Sequence, residues 1–345
     1  MEKQLVKEAN KIFLENFPSE TFFGRCIFLS WYCDRGTCNF CFRSTIKHKI
    51  KHAKNAKRST ASILADSIIG KNLGWPIEFL TGGYGIFKFD KIVEIAKHVS
   101  EIYEHKIWVN LGTLTKEELQ KLKPYVEGVC ASIETVEPIL HKKVCPDKDI
   151  KPYEKMLDLA RELGFKKSIT IVIGLGEKKQ DFTLLEKFIE KHKLDRITFY
   201  ALKPVQGTPY TKSPEPEYYA WWIAKTRIRF PKIRIMAGLT PKRVDYVKLL
   251  LETGANSITK FPAIRQFNSE KARTIEEMAH DAGRKFIGSL TKMPNIDWSK
   301  EVDKLSVDEE LKTDIKEKIN MSLKKMASDK DVKDINIDSV NQVKA

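Results

Sequence analysis

Arg25-Cys26-Ile27-Phe28-Leu29-Ser30-Trp31-Tyr32-Cys33-Asp34-Arg35-Gly36-Thr37-Cys38-Asn39-Phe40-Cys41-Phe42-Arg43 joins an apolar run of strand length to a polar loop that returns cysteine three times within nine residues. In a reducing compartment, thiols packed this closely serve as metal ligands rather than as a disulfide framework. A cube of iron and sulfide takes four ligands, so a loop offering only Cys33, Cys38 and Cys41 leaves one iron open to a small molecule. The competing reading is a zinc site with Cys26 or His48 as fourth ligand. Zinc loops favour paired C-x₂₋₄-C units, and Cys26 lies inside the apolar run.

Working outward, further short apolar runs fall at 77–80, 107–110, 128–133, 169–173, 196–200, 233–237 and 257–259, which makes eight strands with 25–30. Helical patterns lie between them at 91–105, 115–122, 153–163, 182–191, 218–229 and 243–253. Strands that must return parallel need such crossovers, and eight units close into a barrel. The expected fold is therefore α/β, a (β/α)₈ TIM-type barrel over residues 21–298. Chemistry in such barrels sits at the C-terminal ends of the strands, and Cys33 closely follows the first. Residues 1–20 read as an amphipathic helix with Leu5, Ile12 and Phe13 on one face, a lid or plug. Residues 299–345 read as a charged tail, helical over 307–326 and disordered or a surface helix over 328–345.

The chain has 345 residues, 42% of them hydrophobic and 31% charged, the composition of a globular protein. No stretch approaches the roughly 18 apolar residues of a membrane span. Glu2, Lys3 and Lys7 stand where a secretory signal is apolar, so the expected location is the cytoplasm, with no membrane partner. The formal charge of +15, from 61 Lys and Arg against 46 Asp and Glu, admits an acidic partner, but the lysines are spread along the chain. The densest basic run, 47–58, reads as a solvated face, and nucleic-acid binding is the minority expectation. Cys130 reads as a small buried hydrophobe, and Cys145 as a loop thiol for which reaching a substrate is the minority reading, since no partner base stands nearby.

The cysteine loop resembles that of the radical S-adenosylmethionine (SAM) superfamily, which carries C-x₃-C-x-aromatic-C after the first barrel strand. Phe40 holds the aromatic position, and four residues rather than three separate Cys33 from Cys38. Further segments are similar to the branch containing biotin synthase, the [FeFe]-hydrogenase maturase HydE and methylornithine synthase. Leu80-Thr81-Gly82-Gly83-Tyr84 matches its glycine pair after strand two, with Tyr84 where an acidic residue is usual. Ala131-Ser132-Ile133-Glu134-Thr135 and Ile173-Gly174-Leu175-Gly176-Glu177 match the ends of strands four and five. The Gly207-Thr208-Pro209 turn, Arg227 with Pro231, and Gly254-Ala255-Asn256 complete the ordered set.

The resemblance implies a [4Fe–4S] cluster on Cys33, Cys38 and Cys41, with SAM as its ligand and source of a 5′-deoxyadenosyl radical. It further implies SAM contacts from Phe40, Thr81, Gly82, Gly83, Glu134, Arg161, Gly174 and Gly176. The implied partners are a small-molecule substrate and an external electron donor such as ferredoxin or flavodoxin. Within the branch, the lengthened loop is similar to that of the radical SAM protein associated with the iron-guanylylpyridinol cofactor of [Fe]-hydrogenase, which implies cofactor biosynthesis. The competing functions are sulfur insertion of the biotin or lipoyl synthase type, tRNA modification, and a non-catalytic zinc or iron–sulfur module.

Overall fold

A computed structural model describes residues 3–82 and 85–327. Its strands are β1 (Glu20–Phe28), β2 (Ile77–Thr81), β3 (Ile107–Asn110), β4 (Val126–Glu134), β5 (Lys166–Ile173), β6 (Arg196–Ala201), β7 (Arg234–Gly238), β8 (Ser257–Thr259) and β9 (Lys285–Ile287). All pairings of β1 to β8 are parallel, and β1 bonds to both β2 and β8, so the sheet closes on itself. Every apolar run singled out above overlaps one of these strands, with 25–30 running two residues past β1 and 233–237 starting one before β7. The ninth pairs with the start of β1, Glu20 opposite Lys285 and Phe22 opposite Ile287. Its three residues are too short to stand out from a loop.

Side chains between strands and helices are mostly aliphatic, with aromatics such as Trp75, Tyr153 and Trp222 among them, as a parallel sheet covered on its outside requires. The barrel interior is different. Cys26, Phe79, Trp108 and Cys130 pack together within it. The Arg196 guanidinium lies 3.8 Å from the centre of the Trp108 ring and 4.8 Å from that of Phe79, and it donates to the Glu78 carbonyl at 2.9 Å. Gly128 makes room for this stack, since a Cβ there would sit 2.5 Å from the Trp108 ring. Arg196 opens β6 and Gly128 lies early in β4, so packed side chains fill the N-terminal half of the barrel.

The helix Lys3–Asn16 lies against Pro216–Arg229 and Val247–Glu252. Phe13 and Phe17 sit under the guanidinium groups of Arg284 and Arg227 at 4.1 and 4.6 Å. Both arginines belong to segments entering strands, so this helix stops the N-terminal end and is no lid over the cysteine loop. The tail is helical over the stretch where a helix was expected, with a short helix before it. Trp298–Asp303 and Glu309–Ala327 are helices, and the second packs on Thr60–Asn72, burying Ile315, Ile319 and Met326. Residues 328–345 lie outside the described residues. Among those described, no helix is long and apolar enough to cross a membrane.

Candidate metal and cofactor site

β1 ends at Phe28, and the chain between Leu29 and Phe42 spans the C-terminal mouth of the barrel under close restraint. Ser30 pairs with Lys57 across an antiparallel bridge, Trp31 N–H donates to Ala56 O at 3.0 Å, and Arg58 N–H to Leu29 O at 2.9 Å. On the far side, Asn39 N–H donates to Val144 O at 3.0 Å and Arg35 to Asp147 O at 3.0 Å. The Lys47 ammonium donates to the carbonyls of Asp34 and Arg35, and Arg43 donates to Ser30 O at 3.0 Å. The 47–58 run is thus not simply a solvated face. Lys47 and Arg58 hold the loop, with Arg58 and Arg25 both gripping Asp66 at 3.1 and 2.7 Å.

Cys33, Cys38 and Cys41 are free thiols, each half-buried in this loop. Beneath Cys38 lies Cys145, fully buried, so its thiol packs on the loop instead of facing a substrate. A hydrogen bond from Cys145 pulls the Cys38 thiol below its ordinary range against the opposing effect of burial, with Lys148 adding to the pull. The same contact, followed by burial, pushes Cys145 far up and keeps it protonated. Burial also raises Cys41. Phe40 packs against Val144, Cys145, Val172, Leu175 and Leu202, fixing the last turn before Cys41.

Glu134 ends β4 with a left-handed backbone, φ +66°, at a break in register with β5. Its carboxylate accepts from Lys148 Nζ at 2.7 Å, both side chains almost wholly buried. Burial is the largest single influence and works against the Lys148 charge, but the fields of Glu134, Cys145 and Cys38 together outweigh it and hold the pKa above the usual lysine range. The strand-end ion pair therefore exists, and it places a carboxylate beside the Cys38–Cys145 contact. Thr81 ends β2 and donates to Asn110 O at 2.8 Å. A Cβ on Gly82 would lie 3.0 Å from Leu29 Cβ, so the β2 turn runs hard against the start of the cysteine loop. Gly83 and Tyr84 lie outside the described residues.

Gly174 and Gly176 follow β5 with φ of +105° and +123°, a conformation costly for any side chain. Their amides and that of Leu175 donate to the Glu177 carboxylate at 2.8 to 3.2 Å. The turn is shaped as expected, but its N–H groups are engaged by the chain's own carboxylate. Arg161 requires a correction. It stands in the last turn of Ile150–Glu162, paired with Asp158 at 3.3 Å and half exposed, just before the chain enters β5. Glu134 aligns with Ile171, five residues further along β5, or about 17 Å at the usual rise. Arg161 is thus at the wrong end of the barrel to meet SAM.

Inside the mouth, sequence reasoning missed a set of polar side chains. Tyr200 Oη donates to Glu78 Oε1 at 2.7 Å, and the Thr259 hydroxyl lies against the other carboxylate oxygen. Lys260, the residue after β8, reaches back to Cys26 Sγ at 3.2 Å. Cys26 therefore belongs to the interior and not to the loop. Cys130 is buried as expected, with its thiol pushed up to about 12 by desolvation. The signal that could have found Tyr200 and Lys260 is their place at or just after the ends of strands; Lys148, on a loop, carried no such mark.

Among the described residues, no three His, Cys, Asp or Glu side chains converge on a point where a single metal ion would sit. Mononuclear zinc asks for that convergence. Three thiols on a pinned loop, with the Cys145 thiol packed beneath Cys38 and hydrogen-bonded to it, instead suit a cluster whose irons are ligated at separate corners. The donor set fits an iron–sulfur cube.

Fold and loop together describe a (β/α)₈ barrel with a three-cysteine loop across its mouth. The family model of the radical SAM superfamily matches residues 29–189. The uncharacterized protein MJ0597 of Methanocaldococcus jannaschii is 34% identical over 92% of this chain and 86% of its own length. Biotin synthase of Parabacteroides distasonis is 26% identical over 49% of this chain and 53% of its own length. The structure of methylornithine synthase shares the fold, with a TM-score of 0.70 at 20% identity, over 82% of this chain and 88% of that one. The chain belongs to the radical SAM superfamily, whose enzymes use a [4Fe–4S] cluster and SAM.

Proposed function

We propose that Cys33, Cys38 and Cys41 hold the cluster and that SAM lies between the cysteine loop and the ends of β2, β4 and β5. Thr81, Gly82, Gly83, Glu134, Gly174, Gly176 and Phe40 are its contacts in this reading. When bound there, cluster and SAM supply reductive cleavage to a 5′-deoxyadenosyl radical. The chain's own residues do the positioning. Glu134, preorganised by Lys148, offers its second oxygen to the ribose hydroxyls or the ammonium of SAM. The Gly174 to Gly176 turn brings backbone close enough for a flat base to pack on it, and Phe40 walls the loop from water. The observation that carries the reading is the pinned loop of three free thiols at the C-terminal end of β1.

The substrate in this proposal is a small precursor in the synthesis of a cofactor, with the iron-guanylylpyridinol cofactor of [Fe]-hydrogenase as the particular pathway. The lengthened Cys33 to Cys38 spacing supports it. Ferredoxin or flavodoxin supplies the electron in the cytoplasm. Sulfur insertion is less well supported, because Cys26, Cys130 and Cys145 are each already packed against protein. The test is anaerobic reconstitution with iron and sulfide, then reduction in the presence of SAM. We expect 5′-deoxyadenosine from the native chain and none from Cys38→Ala; equal amounts from both would end the proposal.

A further inference from the structure

A cavity of about 260 Å³ opens at the C-terminal ends of β5 to β8, directly beneath Phe40 of the cysteine loop. That is the scale of a small metabolite. Its wall is largely apolar, with Phe40, Val172 and Leu239 prominent, and among the described residues its charged lining is Lys203 and Lys260, with no carboxylate. We propose that this cavity binds the anionic group of the substrate, a carboxylate or a phosphate ester, with Lys260 as the deep anchor and Lys203 at the rim. The inference rests on the radical SAM reading and adds to it the charge class of the molecule the radical meets.

Three observations converge on Lys260. Its ammonium carries three N–H donors, and the one acceptor it reaches is the Cys26 thiol, a weak partner that burial keeps protonated. The nearest interior carboxylate, Glu78, is engaged by Tyr200 and by Thr259. The ammonium also stands 4.7 and 5.2 Å from the centres of the Phe28 and Tyr200 rings, so those rings and the Cys26 thiol hold it in place; burial opposes its charge, and the fields of Cys26 and Glu78 sustain it. Lys260 moreover adopts φ +68°. Of the described non-glycine residues in that region, Glu104 and Lys193 cap helices and Asn268 precedes the cap Ser269. Only Glu134 and Lys260 stand at the mouth ends of barrel strands, where a strained backbone aims a side chain at the site. Lys203 sits near Lys242 and Arg243, and burial together with these cations lowers its pKa, a repulsion that an incoming anion relieves.

The test uses the cluster-loaded protein with SAM and four matched probes: hexanoate, hexyl phosphate, hexanamide and hexanol. Thermal unfolding is followed with each at saturating concentration. We expect at least one anion to raise Tm by several degrees, the neutral partners to leave it unchanged, and the better anion to separate carboxylate from phosphate. Lys260→Met should lose the rise and Lys260→Arg should restore part of it, while Lys54→Met, on the exposed basic run, should respond as the native chain does. Should Lys260→Met fail to fold, Lys203→Met is expected to halve the rise or more. Equal responses to anions and neutral partners, no response to either anion, or a native response from Lys260→Met would overturn the proposal. 5′-Deoxyadenosine is measured in the same preparations. Its absence with the anion response intact counts against the radical chemistry alone, and its presence without that response counts against the anion pocket alone.

Discussion

Glu134 holds a backbone conformation that costs an L-residue roughly 1–2 kcal/mol, and the return is a carboxylate locked to Lys148 beside the cysteine loop. Glu134→Ala leaves a buried ammonium without its partner, and we expect a loss of about 3–5 kcal/mol in chemical denaturation. Glu134→Gln with Lys148→Met should regain most of that stability but keep a raised KM for SAM, which separates the structural part from the binding part. Glu134 was legible because it ends a strand within a recognisable segment. Lys148 was not, since a lysine 14 residues away on another loop reads as solvated until the fold closes over it. Arg161 shows the converse error: a cation in a helix's last turn looks the same at either end of the barrel, and only the direction of the next strand decides which end it serves.

At the scale of elements, two of the segments that made the chain recognisable have nothing to do with chemistry. Arg227, wholly buried at the end of Pro216–Arg229, donates to Gly254 O at 3.0 Å and Asn256 Oδ1 at 2.7 Å, tying that helix to the turn entering β8. A Cβ on Gly254 would sit 2.5 Å from Arg227 Cγ, so neither residue can change alone. We expect Arg227→Met to lose roughly 3 kcal/mol or more by stranding buried acceptors, with KM for SAM unchanged in the folded fraction. Lys47→Met should do the opposite: a small change in Tm, but faster iron loss to a chelator, because its carbonyl contacts close the cysteine loop and nothing else. The eight strands were readable because each is a β-rich run bounded by turn residues. β9 and the docking of Glu309–Ala327 were not, since both depend on surfaces that other elements create.

For the whole molecule, charge and pH offer an independent check. His141 and His192 are buried, and desolvation holds both below the ordinary histidine range. Unfolded, each takes a proton as pH falls through about 6.5; folded, each resists it. The unfolded state therefore binds more protons, and stability should fall as pH drops from 7 toward the lower folded values. We expect Tm to decline over pH 7 to 5.5, and the decline to flatten in His141→Gln with His192→Gln; an unchanged slope would contradict this. The basic residues behind the +15 charge are spread along the chain, and Lys47 and Arg58 are committed to the loop, so RNA binding should be weak. The whole account turns on a cube gripped at only three corners. Mössbauer spectra of protein rebuilt anaerobically with isotope-enriched iron test this most directly: adding SAM should shift a single iron site and leave the others as they were. Identical spectra with and without SAM, or protein that carries zinc in place of iron, would contradict it.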